Sequence, residues 1–286
     1  DSIDFNDNPG ARSRIDPSEI SKLLSGGTAV TLQANNDITL KSALTVNNAG
    51  GDGANLTLQA GRSILLNDSI TTDNGNLTLT ANETTANGVV DANRDAGAAV
   101  ITMASGQTIN AGTGTVTITL ANGAGKTNKD SGDITLQGIT AGSLSVNNQG
   151  LTAGSNISLG ATTLSGNLTL GSASGNITQS GVLSVGGTTA ITAGVDAVSF
   201  DTASNNFIGP VSIISGKNVS LLDTVDNLTL GDINVSGDLN AEAKGGDLLL
   251  SGDIVKASGT DATATLKATG NITLADTKKI ESASGK

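Results

Sequence analysis

From residue 28 onward, aliphatic residues alternate with Thr, Ser or other small polar residues, and each short alternating run ends at a glycine-rich corner. A period of two places the aliphatic side chains on one side of a β-strand and the hydroxyl side chains on the other. Thr is β-branched, so it favours a strand while it presents a hydroxyl group to water. The run of polar, aliphatic, hydroxyl and aliphatic residues recurs at residues 36–40, 55–58, 76–79, 133–136, 156–159, 167–170, 218–221, 227–230 and 271–274.

A shift of the sequence by roughly 20 residues aligns these runs with one another. The shift places Leu228 on Leu248, Leu230 on Leu250 and Ile157 on Ile177. Repetition at a fixed period indicates stacked copies of a unit that cannot bury its apolar face alone. The sequence therefore predicts an all-β, parallel β-solenoid with about 20 residues per coil and on the order of a dozen coils.

Residues 1–27 lack this alternation, and we predict that they form a linker followed by a short capping helix. Asp16 is suited to cap the helix, Pro17 to occupy its first turn and Glu19 to take the reciprocal capping position, while Gly26 is suited to end it. An apolar side of this helix would lie over the open end of the first coil and protect its strand edges. That side consists of Ile20, Leu23 and Leu24.

Residues 28–286 are predicted to form a single β-solenoid domain. Three segments interrupt the alternation and are predicted excursions from the coils, because they are more polar or contain aromatic residues that the other coils lack. They lie near residues 82–97, 121–132 and 193–210, and the last contains Phe200 and Phe207.

Composition narrows the classes of function. The net charge is −11, which argues against nucleic acid as a partner because phosphates require Lys and Arg. No stretch approaches the roughly 18 consecutive apolar residues of a membrane-spanning helix, so we expect no membrane insertion. No hydrophobic leader is present, and we expect any export signal to have been removed or to lie upstream.

Enzymatic chemistry finds little support in the residues. The chain contains no His for acid–base catalysis near neutral pH, no Cys, and no Trp or Tyr to stack on sugars. A pair of carboxylates acting on a glycosidic bond stays formally open. We predict that the protein is not an enzyme and has no resident cofactor.

Calcium is the one metal that the residues suggest. Residues 50–56 (GGDGANL) resemble one nonapeptide of calcium-binding β-rolls, but the next nine residues do not repeat it. Asp232 and Asp253 would lie on neighbouring coils, where two carboxylates repel unless water or a cation separates them. They are therefore weak calcium candidates, although Asp is also common at corners because its side chain bonds the local backbone.

Five Asn-x-Thr sequences are candidates for glycosylation. The same pattern arises automatically where an Asn corner precedes a Leu-Thr strand, and stacked Asn side chains can form a structural amide ladder. The five residues are Asn55, Asn76, Asn167, Asn227 and Asn271.

Three sets of sequence segments resemble those of a known protein family. Residues 175–181 (GNITQSG) followed by 183–188, residues 205–212 leading to 217–221, and residues 15–17 through 28–32 and 36–39 resemble repeats of filamentous-haemagglutinin-like exoproteins. These are large adhesins that Gram-negative bacteria export by two-partner secretion. The resemblance covers nearly the whole chain from about residue 15 and implies a right-handed parallel β-helix.

The resemblance also implies export through an outer-membrane two-partner transporter to the bacterial cell surface. Members of the family commonly attach to host cells, other bacteria or biofilm matrix. Their secretion domain carries Asn-Pro-Asn motifs, which this chain lacks, so the resemblance places the chain in the repeat shaft.

We therefore predict a structural shaft segment of a secreted, cell-surface bacterial adhesin that supports attachment to cells or biofilm matrix. One alternative is a module that binds carbohydrate or matrix on the solenoid faces or on the loop at residues 82–97, with host-cell or matrix glycans or proteins as partners. A second alternative is a subunit that self-associates into an extracellular filament. Ice binding through Thr ladders such as residues 115–119 is a further, weaker alternative.

Overall fold

The computed structural model of the chain describes residue 5 and residues 12–151, 154–256 and 262–282. Over these residues the protein is a β-solenoid of about 10 stacked turns, nearly all of it parallel β-structure. This arrangement confirms the predicted β-solenoid. Most of the predicted linker at residues 1–15 lies outside the described residues.

Through β21 (Asn206–Phe207), each coil places one strand in each of three parallel sheets, which we name A, B and C. In the described coils after β21, the strands belong to sheets A and B. Sheet A contains β1 (Val30–Ala34), β4 (Leu56–Ala60), β7 (Leu77–Ala81), β10 (Thr115–Leu120), β13 (Ser143–Asn148), β16 (Leu168–Ser172), β19 (Thr189–Thr192), β22 (Val211–Gly216), β24 (Leu228–Val235), β26 (Leu248–Leu250), β27 (Ile254–Lys256), β29 (Ile272–Leu274) and β30 (Ile280–Ser282).

Sheets B and C complete the other two sides of the coils. Sheet B contains β2 (Ile38–Leu40), β5 (Ile64–Leu66), β8 (Ala99–Met103), β11 (Ser131–Thr135), β14 (Ile157–Leu159), β17 (Ile177–Gln179), β20 (Val198–Phe200), β23 (Val219–Asp223), β25 (Leu239–Ala243) and β28 (Ala264–Ala268). Sheet C contains β3 (Leu44–Thr45), β6 (Ile70–Thr71), β9 (Thr108–Asn110), β12 (Gly138–Ala141), β15 (Thr162–Leu164), β18 (Leu183–Val185) and β21 (Asn206–Phe207).

The coils average about 24 residues rather than the predicted 20. The step from Leu228 to Leu248 is 20 residues, whereas the step from Leu77 to Val116 is 39 residues. The additional residues of the long step lie in the connections between strands. The longer repeat reduces the predicted dozen coils to about 10.

Stacked aliphatic side chains fill the interior. Leu56, Leu77, Val116, Leu144 and Leu168 follow one another in sheet A and are at most 1% exposed. Burial of each such side chain contributes about 1.5–3 kcal/mol. Because every coil repeats the contribution, a narrow column without Trp or Tyr suffices to hold the coils together.

A helix, α1 (Pro17–Ser25), packs at the N-terminal end of this column. The Asp16 carboxylate accepts a hydrogen bond from the Ser18 N–H at 2.9 Å and caps the helix. Leu24 is fully buried and Ile20 nearly so, but Leu23 is 49% exposed. The predicted apolar side therefore loses Leu23, whose carbonyl instead accepts the Thr28 N–H at 2.9 Å as the chain turns into β1. Gly26 has φ −83°, and the left-handed residue at the helix end is Gly27, with φ +82°.

The predicted excursion at residues 193–210 is wrong. The segment forms β20 and β21, which pair in register with the preceding strands of sheets B and C. Phe200 and Phe207 are fully buried, and their ring centroids lie 6.4 Å apart in a stacked arrangement. The aromatic residues thus fill a normal coil instead of marking a loop.

We name the connection from a strand of sheet A to the next strand of sheet B the A–B corner. Residues 82–98 and 121–130, which contain most of the other two predicted excursions, both leave the coils at this corner. The first contains two short 3₁₀ helices, Thr85–Asn87 and Asp91–Asn93. One side of the solenoid therefore differs between its N-terminal and C-terminal halves.

Candidate functional site

The five predicted glycosylation residues all lie exposed at corners where a new strand begins. Their side chains extend the hydrogen bonding between coils. Asn55 Oδ1 accepts the Asn76 N–H at 3.1 Å, and Asn76 Oδ1 accepts the Thr115 N–H at 2.8 Å. Asn167 and Asn227 bond the next coil in the same way, through the N–H groups of Thr188 and Asp247.

The ladder thus runs from side-chain oxygen to backbone N–H, and not from amide to amide as the sequence suggested. It satisfies a backbone donor that no strand partner reaches, which contributes about 1 kcal/mol per bond. The ladder uses Oδ1, whereas a glycan attaches to Nδ2. Glycosylation of these residues stays a prediction.

The predicted calcium residues take part in the same kind of ladder. Asp232 Oδ1 accepts the Asp253 N–H at 3.0 Å, and Asp253 Oδ1 accepts the Lys279 N–H at 3.2 Å. The two carboxylates lie in register on neighbouring coils, as predicted, and each already bonds the backbone. Within the described ranges, no group of three or more His, Cys, Asp or Glu side chains could hold a metal ion.

Hydroxyl and amide side chains form rows on the outer surfaces of all three sheets. On sheet B, Thr102, Thr135, Ser158, Thr178, Ser199 and Ser220 stack in register over six successive coils. Sheet A carries the row Thr31, Thr57, Thr78, Thr117, Ser145 and Thr169. Because successive strands lie about 4.8 Å apart, these rows repeat donors and acceptors at a regular spacing.

The loop at residues 82–98 does not project into solvent as a free binding loop. It lies back over the preceding A–B corners and is bonded to them. Asn35 exchanges two hydrogen bonds with the Val90 backbone, at 2.7 and 3.0 Å. Asn36 donates to Asn93 O at 2.8 Å and accepts the Asp95 N–H at 2.6 Å.

Residues 121–130 are bonded to this loop in turn. The Asp91 carboxylate accepts hydrogen bonds from the Thr127 N–H at 2.9 Å and from the Thr127 hydroxyl at 2.7 Å. The two excursions therefore form one layer, which occupies the third and fourth A–B corners and extends over the first two. We name this layer the corner cover, residues 82–98 together with 121–130.

Two buried cations hold the corner cover in place. Lys126 is 5% exposed, and its Nζ donates to Gly61 O at 2.6 Å and to Asn82 Oδ1 at 2.8 Å. Arg94 is also 5% exposed and donates to Gly97 O at 2.8 Å and to the backbone carbonyl of Asp95. Burial and then the nearby Arg94 charge lower the pKa of the Lys126 ammonium to about 8.

Asn82 joins the two parts of the corner cover. It is fully buried and adopts a left-handed backbone conformation, with φ +52°. Its Nδ2 lies within 2.8–3.0 Å of three acceptors, namely the carbonyls of Ala121 and Lys129 and the Ser131 hydroxyl. Its amide thus bridges the start of the first excursion and both ends of the second.

An ion pair lies at the edge of the cover. Arg62 donates to both Asp37 carboxylate oxygens, at 2.8 and 2.5 Å, and to Ala96 O at 2.9 Å. Burial would raise the pKa of Asp37, but the hydrogen bonds from Arg62 and from the Ser63 N–H outweigh it and hold that pKa below its usual value. The pair links two coils to the first excursion.

The structure also buries an acid that the sequence did not single out. Asp223, at the end of β23, is fully buried and accepts hydrogen bonds from the N–H groups of Phe207, Val225 and Asp226, at 2.7, 2.9 and 3.2 Å. Burial raises its pKa despite these three donors. Its carboxylate accepts the hydrogen bond from the Phe207 N–H in β21, the last strand of sheet C. Its only sequence signal was an Asp directly after a strand, which many corners share.

The described outer faces form a regular polar surface of hydroxyl and amide side chains. Where the chain is described, its buried ionisable groups bond backbone carbonyls, backbone N–H groups and amides. Among the same residues, no helix is both long and apolar enough to cross a membrane.

A repeat family described as "repeats of unknown function (DUF5649)" matches two consecutive segments, residues 147–214 and 216–278. Each matched segment covers about three coils, in the half of the chain without the corner cover. No curated protein and no solved structure matches the chain.

Proposed function

We propose that the chain is a structural shaft segment of a secreted, cell-surface bacterial adhesin, where it holds a binding region away from its anchor. The supporting observation is the register of the coils: corresponding aliphatic residues stack from Leu56 to Leu168 without a slip. Each coil contacts its neighbours, so the stability of such a rod grows with the number of coils. The resemblance to filamentous-haemagglutinin-like repeats supports export by an outer-membrane two-partner transporter.

A shaft should tolerate removal of a whole coil. Deletion of residues 168–188 joins Asn167 to Thr189, which can take the place of Leu168 because Leu168 and Thr189 are register partners. We expect the deletion variant to fold with an unchanged circular dichroism spectrum and a rod about 4.8 Å shorter in solution scattering. Deletion of residues 168–178, about half a coil, is the control and should abolish cooperative unfolding. If both deletions abolish cooperative unfolding, the proposal of a structural shaft is contradicted.

The binding alternative is supported by the rows of hydroxyl groups on sheets A and B, which could bond neutral glycans. A glycan array and a cell-binding assay with the whole chain separate the two proposals. Specific binding that is lost on Thr135→Val and Thr178→Val substitution, both on sheet B, would favour the binding module. Consistent absence of binding favours the shaft.

A further inference from the structure

The middle of the chain carries no charge. Residues 134–195 form a run of 62 residues without Asp, Glu, Lys or Arg. Residues 1–133 contain 8 basic and 14 acidic residues, a net charge of −6, and residues 196–286 contain 7 basic and 12 acidic residues, a net charge of −5. We name residues 134–195 the neutral belt. It surrounds the rod between two acidic halves.

Apolar side chains are exposed at the A–B corners of the neutral belt and near the end of β22 on the following coil. Leu151 is 79% exposed and Val195 is 76% exposed, and Ala173 is exposed on the coil between them. Ile214, on the next coil, is 59% exposed. We name these four residues the apolar ridge. Hydrogen bonds from Ala173 N to Asn148 O and from Gly194 N to Ser215 Oγ hold these corners against one another.

The exposure of Ile214 results from a local irregularity in sheet A. Ile191 pairs with Ile213, and Thr192 pairs with Ser215, so the ladder skips Ile214. A residue that a bulge removes from the ladder no longer follows the inward–outward alternation. The bulge thus turns an Ile side chain to solvent beside the belt. Four successive coils then give a ridge about 14 Å long.

We propose that the apolar ridge and the neutral belt around it form the surface through which two copies of this chain associate side by side. Large exposed apolar residues mark interaction sites when they cluster. A second copy has the same acidic halves, and like charges repel wherever those halves meet. The belt is where two copies can approach without that repulsion, and it lies in the middle of the rod.

The flanks of the ridge suit a two-fold contact. Asp196 follows Val195, and Lys217 lies on the next corner, where its N–H donates to Asp196 O at 2.8 Å. In a two-fold interface the same patch faces itself, so the side chain of Asp196 on one copy can meet that of Lys217 on the other. A stable interface buries about 800 Å² on each partner, so the hydroxyl rows of the belt must also contribute.

Sedimentation velocity of the whole chain, from micromolar to near-millimolar concentration, tests the proposal. We expect a reversible monomer–dimer equilibrium that shifts toward the dimer as added NaCl screens the net charge of −11. The double substitution Leu151→Lys and Val195→Lys should weaken association about tenfold or more. A wild-type chain that stays monomeric over the whole range, with and without salt, overturns the proposal.

Two matched controls locate the contact. Val182→Lys with Val225→Lys changes exposed aliphatic residues in the connections that follow strands of sheet B, Val182 before β18 and Val225 before β24. This variant should dimerise like the wild type. Ile272→Lys with Leu274→Lys changes the exposed apolar residues of β29 and should also leave the dimer unchanged. Loss of the dimer in either control, with the ridge variant unaffected, overturns the proposal.

Disulfide trapping keeps the test decisive if a lysine variant fails to fold. The chain has no native Cys, so Leu151→Cys, Ala173→Cys and Val195→Cys can each be made singly. A disulfide requires Cα atoms within about 7 Å, so we expect mild oxidation to link at least one of them into dimers, and Val182→Cys to remain monomeric. If no ridge variant crosslinks more than Val182→Cys, the proposal is wrong.

Discussion

The A–B corner has a different structure in the two halves of the solenoid. In the N-terminal coils it is covered by residues 82–98 and 121–130, and buried cations, amides and an ion pair hold the cover to the coils. In the described coils between residues 168 and 243 the same corner is short, at two to five residues. Val195 is exposed at one of these corners, and Leu151 is exposed on an earlier coil. In both halves the described strands pair in parallel. A solenoid can therefore change the chemistry of one side without disturbing the column that supports it.

The covered half depends on buried polar contacts between the coils and the two excursions, whereas the later coils are joined at this corner by hydrogen bonds between directly neighbouring corners, such as that from the Asn176 N–H to Asn156 Oδ1. Loss of a buried partner leaves its hydrogen-bonding groups unsatisfied, which costs about 1–3 kcal/mol for each group. Substitutions beneath the cover should therefore have larger effects than substitutions on the short corners. Four predictions test the contacts in the covered half, beginning with the largest effect.

Asn82→Ala should destabilise the protein by about 4 kcal/mol. It removes the amide that bonds Lys126 and both ends of the second excursion, and it places Ala at φ +52°. Urea unfolding measures the loss. Asn122→Ala, at an exposed position of the same cover, should cost less than about 1 kcal/mol. Equal effects of the two substitutions would show that the cover does not depend on Asn82.

Gly61→Ala should cost about 3 kcal/mol, because its Cβ would lie 2.1 Å from Asn35 O and 3.0 Å from Val89 Cγ1. The atoms in the way belong to the backbone and to the packed loop, so they cannot move aside easily. Gly51→Ala is the control, since nothing lies within 4 Å of its Cβ position. Thermal unfolding followed by circular dichroism compares the two variants.

Lys126 should make stability rise at alkaline pH. Its pKa is about 8 in the folded protein against 10.5 in an unfolded chain, so between these values the unfolded state binds the proton that the folded state has released. Unfolding free energy then increases with pH, by at most about 3 kcal/mol. Urea titrations at pH 7.5 and pH 10 measure the change, and Lys126→Met should lack it. A wild-type stability that is flat or falls over this interval would contradict the burial of this amine.

Asp37→Asn should have the smallest effect, about 1 kcal/mol at neutral pH. The carboxylate has a lowered pKa in the folded state, so its contribution is present above the unfolded value of 3.8 and is lost as pH falls below it. The variant and the wild type should therefore differ at pH 7 and converge near pH 3. A difference that persists at pH 3 would show that the side chain acts through packing instead of charge.

The alternation of aliphatic and hydroxyl residues was enough to predict the solenoid, because each strand carries its inward and outward sides in its own sequence. The predicted pairing of Leu228 with Leu248 is confirmed. The interpretation of residues 193–210 failed because Phe replaced the usual aliphatics, although Phe200 and Phe207 fill the same inward positions. The predicted burial of Leu23 was wrong for another reason. The angle at which α1 meets the first coil decides which of the apolar residues of the helix are buried.

The candidate surfaces were predictable to different degrees. The corner Asn and Asp residues can be recognised in the sequence because they recur directly before the alternating runs. Their role in a hydrogen-bond ladder follows from the stacking of the coils. Lys126, Arg94 and Asn82 gave no local signal, since polar residues in a loop are usually solvated. Their burial depends on residues up to 65 positions apart that share four neighbouring corners.

The sequence by itself determined the parallel stack, its aliphatic interior and the neutral stretch at residues 134–195, because alternation and charge are properties of each segment alone. Only the tertiary structure decided where the corners lie relative to one another. It laid two polar excursions over the first corners and left an apolar ridge on the later ones, since inter-coil contacts join residues that the chain separates by a full turn or more.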